Sequence, residues 1–182
     1  MSRKAVFLDR EGTINVGVPV YERVDSLDKV EILPKSLEAL TLLASLDYDV
    51  FIVTNQAGLA EGLITQAQFD EINNRILELI APSGITVLKT YVCPHGEQDN
   101  CDCRKPKPKL LFDAAEEFDI DLANSWMIGD RPSDVMTGVN AGAKGILVLT
   151  GVPTVECDQA VATLPSLLEA VEYIAEHTRQ QF

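Results

Sequence analysis

Long hydrophobic runs are missing from this sequence. None of its apolar stretches approaches the roughly 20 residues that a membrane-spanning helix needs. The first residues, Met1 to Lys4 followed by Ala5 to Leu8, also lack the cleavage region of a secretory signal peptide. These absences argue against a membrane protein and against an exported one, so we expect a cytoplasmic protein without a membrane partner.

Positive charge is scarce as well. Lysine and arginine together number 15 against 28 aspartates and glutamates, which gives a formal net charge of −13 at pH 7. Proteins that bind nucleic acid normally neutralise its phosphates with a basic face. The charge balance therefore argues against nucleic acid as a partner and favours a small-molecule substrate.

Cysteine is rare, and its distribution is uneven. Of the four cysteines, Cys93, Cys101 and Cys103 lie within eleven positions, beside His95, whereas Cys157 stands alone. In a cytosolic chain such clustering favours a metal site over a disulfide. We interpret Cys157 as an ordinary small side chain.

The overall amino-acid composition is typical of a globular protein. Hydrophobic residues make up 46% and charged residues 24% of the 182 positions, which is enough to bury a core. The sequence shows no internal repeat, no low-complexity tract and no domain boundary. We expect one domain over residues 1–182, and we expect it to be a monomer.

Short apolar runs rich in β-branched residues alternate with amphipathic helical stretches. This alternation is typical of a parallel sheet with helices on both faces. There are five strand candidates, at Ala5 to Leu8, Val50 to Val53, Thr86 to Val92, Ser125 to Ile128 and Gly145 to Leu149. The predicted fold class is α/β, a single doubly wound, Rossmann-like sheet. Little chain remains for a separate cap domain.

Helices are predicted between and after these strands. The periodic segments follow Pro34, follow Thr65, run from Pro108 through Phe118, run from Pro132 to Ala141 and run from Pro165 to about His177. Gly142 suits the left-handed cap that ends the fourth helix. The stretch from Val16 to Leu33 has no clear period, and we expect it to form a flap or loop beside the functional site.

Polar motifs follow four of the predicted strands. In chain order they are Asp9-Arg10-Glu11-Gly12, Thr54-Asn55-Gln56, Arg104-Lys105-Pro106, and Gly129-Asp130-Arg131 with Asp134 beyond it. In open parallel sheets, ligands bind outside the carboxyl ends of the strands. We therefore expect these motifs to form one site.

The residue types in these motifs suit phosphate chemistry. A phosphomonoester dianion repels a carboxylate nucleophile unless cations neutralise both groups. Asp9 and Asp130 offer hard oxygen ligands for Mg²⁺. Lys105 can neutralise the phosphoryl oxygens, while the Thr54 hydroxyl and the backbone amides after Asp9 can donate hydrogen bonds to them.

The order of the motifs resembles the haloacid dehalogenase superfamily of phosphatases over nearly the whole chain. The resemblance implies that Asp9 is a nucleophile that becomes phosphorylated and is then hydrolysed. It also implies that the Glu11 backbone carbonyl binds Mg²⁺, that the Glu11 side chain acts as acid and base, and that Asp134 supports the metal or Lys105.

The cysteine cluster predicts a metal site of another kind. Cys93, His95, Cys101 and Cys103 supply three thiolates and one imidazole within the loop 93–103, a set that fits tetrahedral Zn²⁺. Four protein ligands leave no open coordination position, so the zinc is predicted to be structural. The alternative is a pair of free buried thiols with an incidental histidine.

The zinc loop narrows the resemblance to a small, capless branch of the superfamily. Two bacterial families of that branch are the D-glycero-D-manno-heptose 1,7-bisphosphate 7-phosphatases and the histidinol-phosphate phosphatases. The segments Thr54 to Gly62 and Leu149 to Gly151 resemble the first family. Lys107 to Leu110 departs from it, and Asn124 to Arg131 resembles the second. We favour the heptose bisphosphate as substrate.

The resemblance also indicates substrate contacts. It places Arg104 on the substrate phosphate that is not cleaved, although both families carry this arginine. Asn55 and Gln56 would lie at the rim, where side-chain amides can orient a polyol. Because Arg104 and Lys105 directly follow Cys103, zinc binding would also aim these two cations.

Glu11 departs from both families, which ordinarily carry aspartate at this position. Glutamate keeps the acid–base chemistry but lengthens the reach, and a displacement of about 1 Å can cost roughly 100-fold in rate. If the acid is misplaced, Glu11→Asp should raise turnover, and this is the outcome that we expect. If the backbone has shifted to seat glutamate, the same change would slow the enzyme.

Each motif also has a simpler interpretation. Aspartate after a strand is often a turn or cap residue, Thr54-Asn55-Gln56 could satisfy backbone groups, and Arg104 to Lys109 could be a solvated basic loop. The occurrence of all the motifs in order favours an enzyme. The non-enzymatic alternative is a domain that binds a phosphorylated ligand without turnover. Glu11 is the one residue that favours this alternative.

Overall fold

The protein folds around one parallel β-sheet. The computed structural model describes residues 2–17, 24–151 and 156–179. Its strands are β1 (Ala5–Leu8), β2 (Asp49–Asn55), β3 (Val87–Cys93), β4 (Trp126–Gly129), β5 (Lys144–Val148) and β6 (Ala162–Leu164). They pair in parallel in the order β3-β2-β1-β4-β5-β6. The predicted doubly wound sheet is confirmed.

The five predicted strands are present, each with ends within two residues of the predicted ones. The sixth, Ala162–Leu164, has no counterpart in the prediction. It is three residues long and only partly buried. A strand this short contains no run of apolar residues long enough to be recognised.

Five α-helices in the described part of the chain cover the sheet. They are α1 (Ser36–Ala44), α2 (Gln66–Ile80), α3 (Lys109–Phe118), α4 (Pro132–Ala141) and α5 (Leu167–Arg179). The Thr65 hydroxyl caps α2 by accepting a hydrogen bond from the Gln68 amide. Gly142 ends α4 with φ 82°, the left-handed cap that the sequence predicted.

Alternate strand residues face two separate cores. Val6, Ile52 and Ile128 belong to the core beneath α1, α2 and α5. Phe7, Phe51 and Met127 face the other side, where α3 packs and α4 lies beside it. Burial on both faces explains why these strands read as continuous apolar runs.

The strand order reverses at β1. The chain passes from β1 to β2 and β3 on one side, then returns to place β4, β5 and β6 on the other. The loops after β1 and β4 therefore leave in opposite directions and open a crevice between them.

The predicted flap, residues 16–33, is described only in part, since residues 18–23 lie outside the described ranges. Asn15 forms an isolated bridge with Ile32, Val24 is buried, and Leu27–Lys29 forms a 3₁₀ turn. Within the described ranges, no helix combines the length and apolarity required to cross a bilayer.

Candidate active site

The sequence-predicted site residues meet at the carboxyl end of the sheet. Asp9 follows β1, Thr54 lies near the end of β2, Asp130 follows β4, and Lys105 lies in the loop between β3 and α3. Asp9, Thr54 and Lys105 line a cleft of about 720 Å³. The cleft lies where the strand order reverses, which is where ligands bind in sheets of this kind.

Lys105 is the centre of a buried ion-pair network. Its Nζ lies 2.5 Å from Asp9 Oδ1 and 2.7 Å from Asp134 Oδ1, and it donates to the Val53 carbonyl oxygen at 2.9 Å. Burial acts to lower the pKa of Lys105, but the combined attraction of Asp134 and Asp9 raises that pKa above its usual value. Lys105 is therefore held charged beside Asp9, where it can neutralise anionic oxygens.

Three buried carboxylates form a candidate cation site. One oxygen from each of Asp9, Asp130 and Asp134 lies within 4.8 Å of the others. Asp130 Oδ1 is buried without a hydrogen-bond partner in the described part of the chain. Burial, with repulsion from Asp9 and Asp134, raises the pKa of Asp130 to about 7. A crowded set of hard oxygen atoms, with Asp130 Oδ1 left unsatisfied, fits Mg²⁺.

Asp134 differs from the other two carboxylates because both of its oxygens have protein partners. Oδ1 pairs with Lys105, and Oδ2 accepts a hydrogen bond from the Arg131 amide at 3.0 Å. Burial raises the pKa of Asp134 to about 6, against the opposing attraction of Lys105. The geometry thus favours Asp9 and Asp130 as metal ligands and Asp134 as the support of Lys105.

Two glycines outside the predicted site residues pack against Asp130. A Cβ at Gly12 would lie 2.6 Å from Asp130 Oδ2, and a Cβ at Gly151 would overlap the same oxygen. Gly12 also has φ +85°, which other residues rarely adopt. Thr150 Oγ1 donates to the Gly12 carbonyl oxygen at 2.6 Å and so joins the loops after β5 and β1. Both glycines stand in recognisable motifs, but only the fold places them against one carboxylate.

Two donors hold the carboxylate of Glu11. Arg10 Nη2 lies 2.7 Å and Gln56 Nε2 lies 3.0 Å from Glu11 Oε1. Gln56 Nε2 also donates to Thr54 Oγ1 at 3.0 Å. Because Gln56 is only 8% exposed, it forms part of the cleft wall and not the rim where the sequence placed it. Arg10 was not among the predicted site residues.

Asn55 pairs with the backbone of Lys105. Its Oδ1 accepts from the Lys105 amide at 3.1 Å, and its Nδ2 donates to the Lys105 carbonyl oxygen at 3.4 Å. This contact joins the end of β2 to the loop that carries the lysine. Asn55 therefore holds Lys105 in place, a role that its sequence position did not indicate.

The predicted zinc ligands come together at the end of β3 and in the loop that follows it. The Sγ atoms of Cys93, Cys101 and Cys103 lie 3.2 to 3.7 Å apart, and His95 Nδ1 lies 3.3 Å from Cys103 Sγ. Ligands about 2.3 Å from a tetrahedral centre are about 3.8 Å from one another, so these four atoms are spaced to hold one ion. Burial raises the pKa of the Cys93 thiol to about 12, which means that a nearby cation is needed to keep it as a thiolate.

Arg104 connects this loop to the cleft. Its Nη1 donates to the His95 carbonyl oxygen at 3.0 Å, and its Nη2 lies 3.7 Å from Glu97 Oε1. The side chain lines the cleft. Anchoring the guanidinium on His95 ties its position to that of the zinc ligands.

Known proteins are similar to this chain in sequence and fold. The family model described as HAD-hydrolase-like matches residues 102–176. The D-glycero-β-D-manno-heptose-1,7-bisphosphate 7-phosphatase of Pasteurella multocida is 35% identical over 93% of this chain and 99% of its own length. The chain belongs to the haloacid dehalogenase-like hydrolases. The enzyme of the same name from Helicobacter pylori J99 is 37% identical over 84% of this chain and 86% of its own length.

A solved structure extends the likeness to the whole fold. D,D-heptose 1,7-bisphosphate phosphatase from B. bronchiseptica, determined with magnesium and phosphate, is 32% identical to this chain and has a TM-score of 0.87. The likeness covers 96% of this chain and 99% of that one. The resemblance inferred from the motifs is confirmed, and the chain is an enzyme of the phosphatase class.

Proposed function

We propose that this haloacid dehalogenase-like enzyme removes the 7-phosphate from D-glycero-D-manno-heptose 1,7-bisphosphate. Relatives that align with most of the chain carry this activity in their names. The observation that chiefly supports hydrolysis is the contact between Asp9 and the buried, charged Lys105, with Asp130 beside them.

Asp9 is the nucleophile in this proposal. One of its carboxylate oxygens attacks phosphorus, the ester bond between phosphorus and the sugar oxygen breaks, and the phosphoryl group is transferred to Asp9. Glu11 donates its proton to the departing sugar oxygen. Lys105 and the Thr54 hydroxyl stabilise the charge on the phosphoryl oxygens during the transfer.

Hydrolysis of the phosphorylated Asp9 completes the cycle. Water attacks phosphorus, and its proton passes to the Glu11 carboxylate. The bond between phosphorus and the Asp9 oxygen breaks, and inorganic phosphate leaves. Glu11 is again protonated, and Asp9 is again a carboxylate, so both residues are ready for another substrate.

The chain's own oxygen ligands support a magnesium requirement. Asp9, Asp130 and the Glu11 backbone carbonyl would hold Mg²⁺, with Asp134 supporting Lys105. When bound, Mg²⁺ supplies the positive charge that lets a carboxylate approach a phosphate dianion. Asp130 Oδ1, which has no hydrogen-bond partner among the described residues, supports this assignment.

Cys93, His95, Cys101 and Cys103 would hold a structural zinc. Their ligand atoms lie close enough to share one ion and leave it no open coordination position. Arg104, anchored on His95, is proposed to contact the phosphate that stays on the sugar. An arginine fork suits this contact because it can bind two phosphate oxygens at once.

Kinetic comparison of three substrates tests the proposal. The heptose bisphosphate should give kcat/KM at least about tenfold above that of histidinol phosphate or a hexose bisphosphate, since a difference of about 1.4 kcal/mol in transition-state binding suffices. A higher kcat/KM for histidinol phosphate would support the second family, to which Asn124 to Arg131 is similar. Absence of Mg²⁺-dependent phosphate release from all three would favour a ligand-binding domain without turnover.

A further inference from the structure

Arg10 carries a buried positive charge that the proposed reaction does not use. Its side chain is 1% exposed, and its guanidinium carbon lies 5.3 Å from the centre of the Phe69 ring in α2. Its Nε and Nη1 have no hydrogen-bond partner among the described residues. A buried charge satisfied this poorly costs stability, so its presence requires a physical reason.

The contact between Arg10 and Glu11 supplies that reason. Arg10 Nη2 donates to Glu11 Oε1 at 2.7 Å, the same oxygen that accepts from Gln56 Nε2 at 3.0 Å. The two donors come from different places, the loop after β1 and the residue after β2. They therefore fix the carboxylate from two sides.

Each donor is itself held in place. The face of the Phe69 ring supports the Arg10 guanidinium. Gln56 is fixed through Thr54 Oγ1 and through its own backbone amide, which donates to the Cys93 carbonyl oxygen at 2.7 Å. Neither donor has to be ordered when substrate binds, so the position of the carboxylate is set beforehand.

We infer that Arg10 and Gln56 are positioning residues that seat the Glu11 carboxylate for proton transfer. Both act through Glu11. Their two hydrogen bonds occupy Oε1, and Oε2 is the oxygen that exchanges the proton with the sugar oxygen and with water. The inference rests on the acid–base role proposed for Glu11 above.

This arrangement suits glutamate and not aspartate. The aspartate side chain is shorter by one carbon–carbon bond, about 1.5 Å. The backbone cannot easily move to close this gap, because hydrogen bonds hold it on both sides of Glu11. The Gly12 amide donates to the Asn15 carbonyl oxygen at 2.8 Å, and the Ile14 amide donates to the Arg10 carbonyl oxygen at 2.9 Å. Glu11→Asp should therefore slow the enzyme, the second of the two outcomes considered from the sequence.

Single variants test the two donors. Arg10→Met removes the guanidinium and Gln56→Met removes the amide, while both keep an unbranched side chain. Each should lower kcat by about 10- to 100-fold with KM changed by less than about threefold, and Arg10→Lys should be intermediate. Arg75→Met is the matched control, because that exposed arginine of α2 pairs only with Glu78 in the described structure, and kcat should not change.

A double-mutant cycle shows whether Arg10 acts through Glu11. Arg10→Met should cause no further loss of kcat in a Glu11→Ala background. The same loss in both backgrounds would mean that Arg10 supports the fold in general, and the inference would be overturned. Full parental kcat in Arg10→Met, or a faster Glu11→Asp enzyme, would overturn it as well.

Stability measurements separate this inference from the proposed function. Urea unfolding of the parent, Arg10→Met, Glu11→Ala and the double variant reports the contact even in a protein that hydrolyses nothing. Non-additive changes in unfolding free energy are expected, and additive changes would contradict the contact. Arg10→Lys replaces Arg10→Met in the cycle if the latter does not fold. A parent inactive on all phosphomonoesters would overturn the proposed function, and the seating of Glu11 would then be judged from this coupling.

Discussion

Asp9 and Lys105 are 96 positions apart in the sequence, yet their side chains are in contact and buried. An exposed ion pair contributes little to stability because water screens it. Here the loss of Lys105 would leave the charges of Asp9 and Asp134 buried without compensation, which is far more costly. The same seclusion from water makes each charge in the cleft effective on a bound phosphate.

Asp9→Asn should abolish turnover and leave the fold intact, because an amide cannot form an acyl phosphate. Phosphate release and circular dichroism measure the two effects. Asp113→Asn is the control, since Asp113 lies on the outside of α3, paired with Lys109, and its loss should not change the rate. Lys105→Ala should also be severe, with kcat lower by at least about 100-fold. Comparable Mg²⁺-dependent release by Asp9→Asn would mean that the covalent mechanism is wrong.

Gly151→Ala should weaken the metal site. The added methyl group would overlap Asp130 Oδ2 and force the loop after β5 or the carboxylate to move. We expect kcat to fall by about tenfold or more and the Mg²⁺ concentration for half-maximal activity to rise. Gly96→Ala is the control, because its Cβ would meet its nearest neighbour at an ordinary 3.7 Å. Equal behaviour of the two variants would show that the Gly151 contact is unimportant.

At the scale of structural elements, the loop between β3 and α3 carries three of the four zinc ligands and the cations of the cleft. The Asn55 side chain joins this loop to β2 by accepting a hydrogen bond from the Lys105 amide. Within the loop, the Arg104 side chain donates to the His95 carbonyl oxygen. Regular secondary structure does not hold this loop apart from the 3₁₀ turn Glu97–Asp99. A bound metal would therefore add rigidity to this loop.

Purified protein should contain about one Zn²⁺ per chain, measured by elemental analysis. Cys103→Ser should lose the zinc and raise KM for the bisphosphate, because Arg104 would no longer be aimed. Cys157→Ser offers a matched control, since Cys157 lies outside the cluster and should keep both the zinc and the parental KM. A folded, active and zinc-free preparation of the parent would falsify the site.

The first turn of α5 is linked to the residue before α1 by Glu169 and Lys35, whose atoms lie 2.8 Å apart. Hydrogen bonds from Lys35 and Ser166 lower the pKa of Glu169 to about 2. Its contribution is therefore present above the ordinary pKa of 4.5 and is lost as pH falls from 4.5 toward 2. Glu169→Gln should lower the unfolding free energy at pH 7 by less than about 1 kcal/mol, because the pair is near the surface.

Urea unfolding from pH 7 downward tests that expectation. The difference between Glu169→Gln and the parent should shrink below pH 4.5. Glu176→Gln, which removes a carboxylate from the same helix outside the Lys35 pair, serves as the control. A difference that stays constant down to pH 3 would show that the charge on Glu169 is not responsible.

At the scale of the whole molecule, the carboxylate cluster that would bind the metal lowers the stability of the metal-free protein. Burial and the charges of Asp9 and Asp134 raise the pKa of Asp130 to about 7, so at alkaline pH the metal-free protein holds a charge that destabilises it. The folded protein keeps the proton of Asp130, whereas the unfolded chain releases it near the ordinary pKa of 3.8. The contribution of this proton to stability is therefore full below about pH 4 and is lost as pH rises through 7.

Asp130→Asn should remove much of this loss. In EDTA at pH 8 the variant should be more stable than the parent by on the order of 2 kcal/mol, and the two should converge toward pH 4. Added Mg²⁺ should raise the melting temperature of the parent and have no effect on the variant, which should also be inactive. A parent less stable than the variant at pH 4 but equal to it at pH 8 would contradict this account.

The sequence by itself determined the parallel sheet and which polar residues would meet at its carboxyl edge. Buried strands need continuous apolar runs, and the polar residues that follow such runs have to meet at one edge of a parallel sheet. Asp9, Thr54 and Asp130 could be named for this reason, and the zinc ligands could be named from the spacing of the cysteines and His95. The strand Ala162–Leu164 could not, because a short, partly exposed strand leaves no periodic signal.

Only the tertiary structure decided which side chains face one another. Asn55 pairs with the Lys105 backbone, Gly151 packs against Asp130, and Arg10 and Gln56 share the carboxylate of Glu11. Each of these contacts except that between Arg10 and Glu11 joins residues from different strand ends. Their distances depend on strand register and loop path, which no local pattern of residues encodes. The reach of Glu11 could be judged only once the positions of its two donors were known.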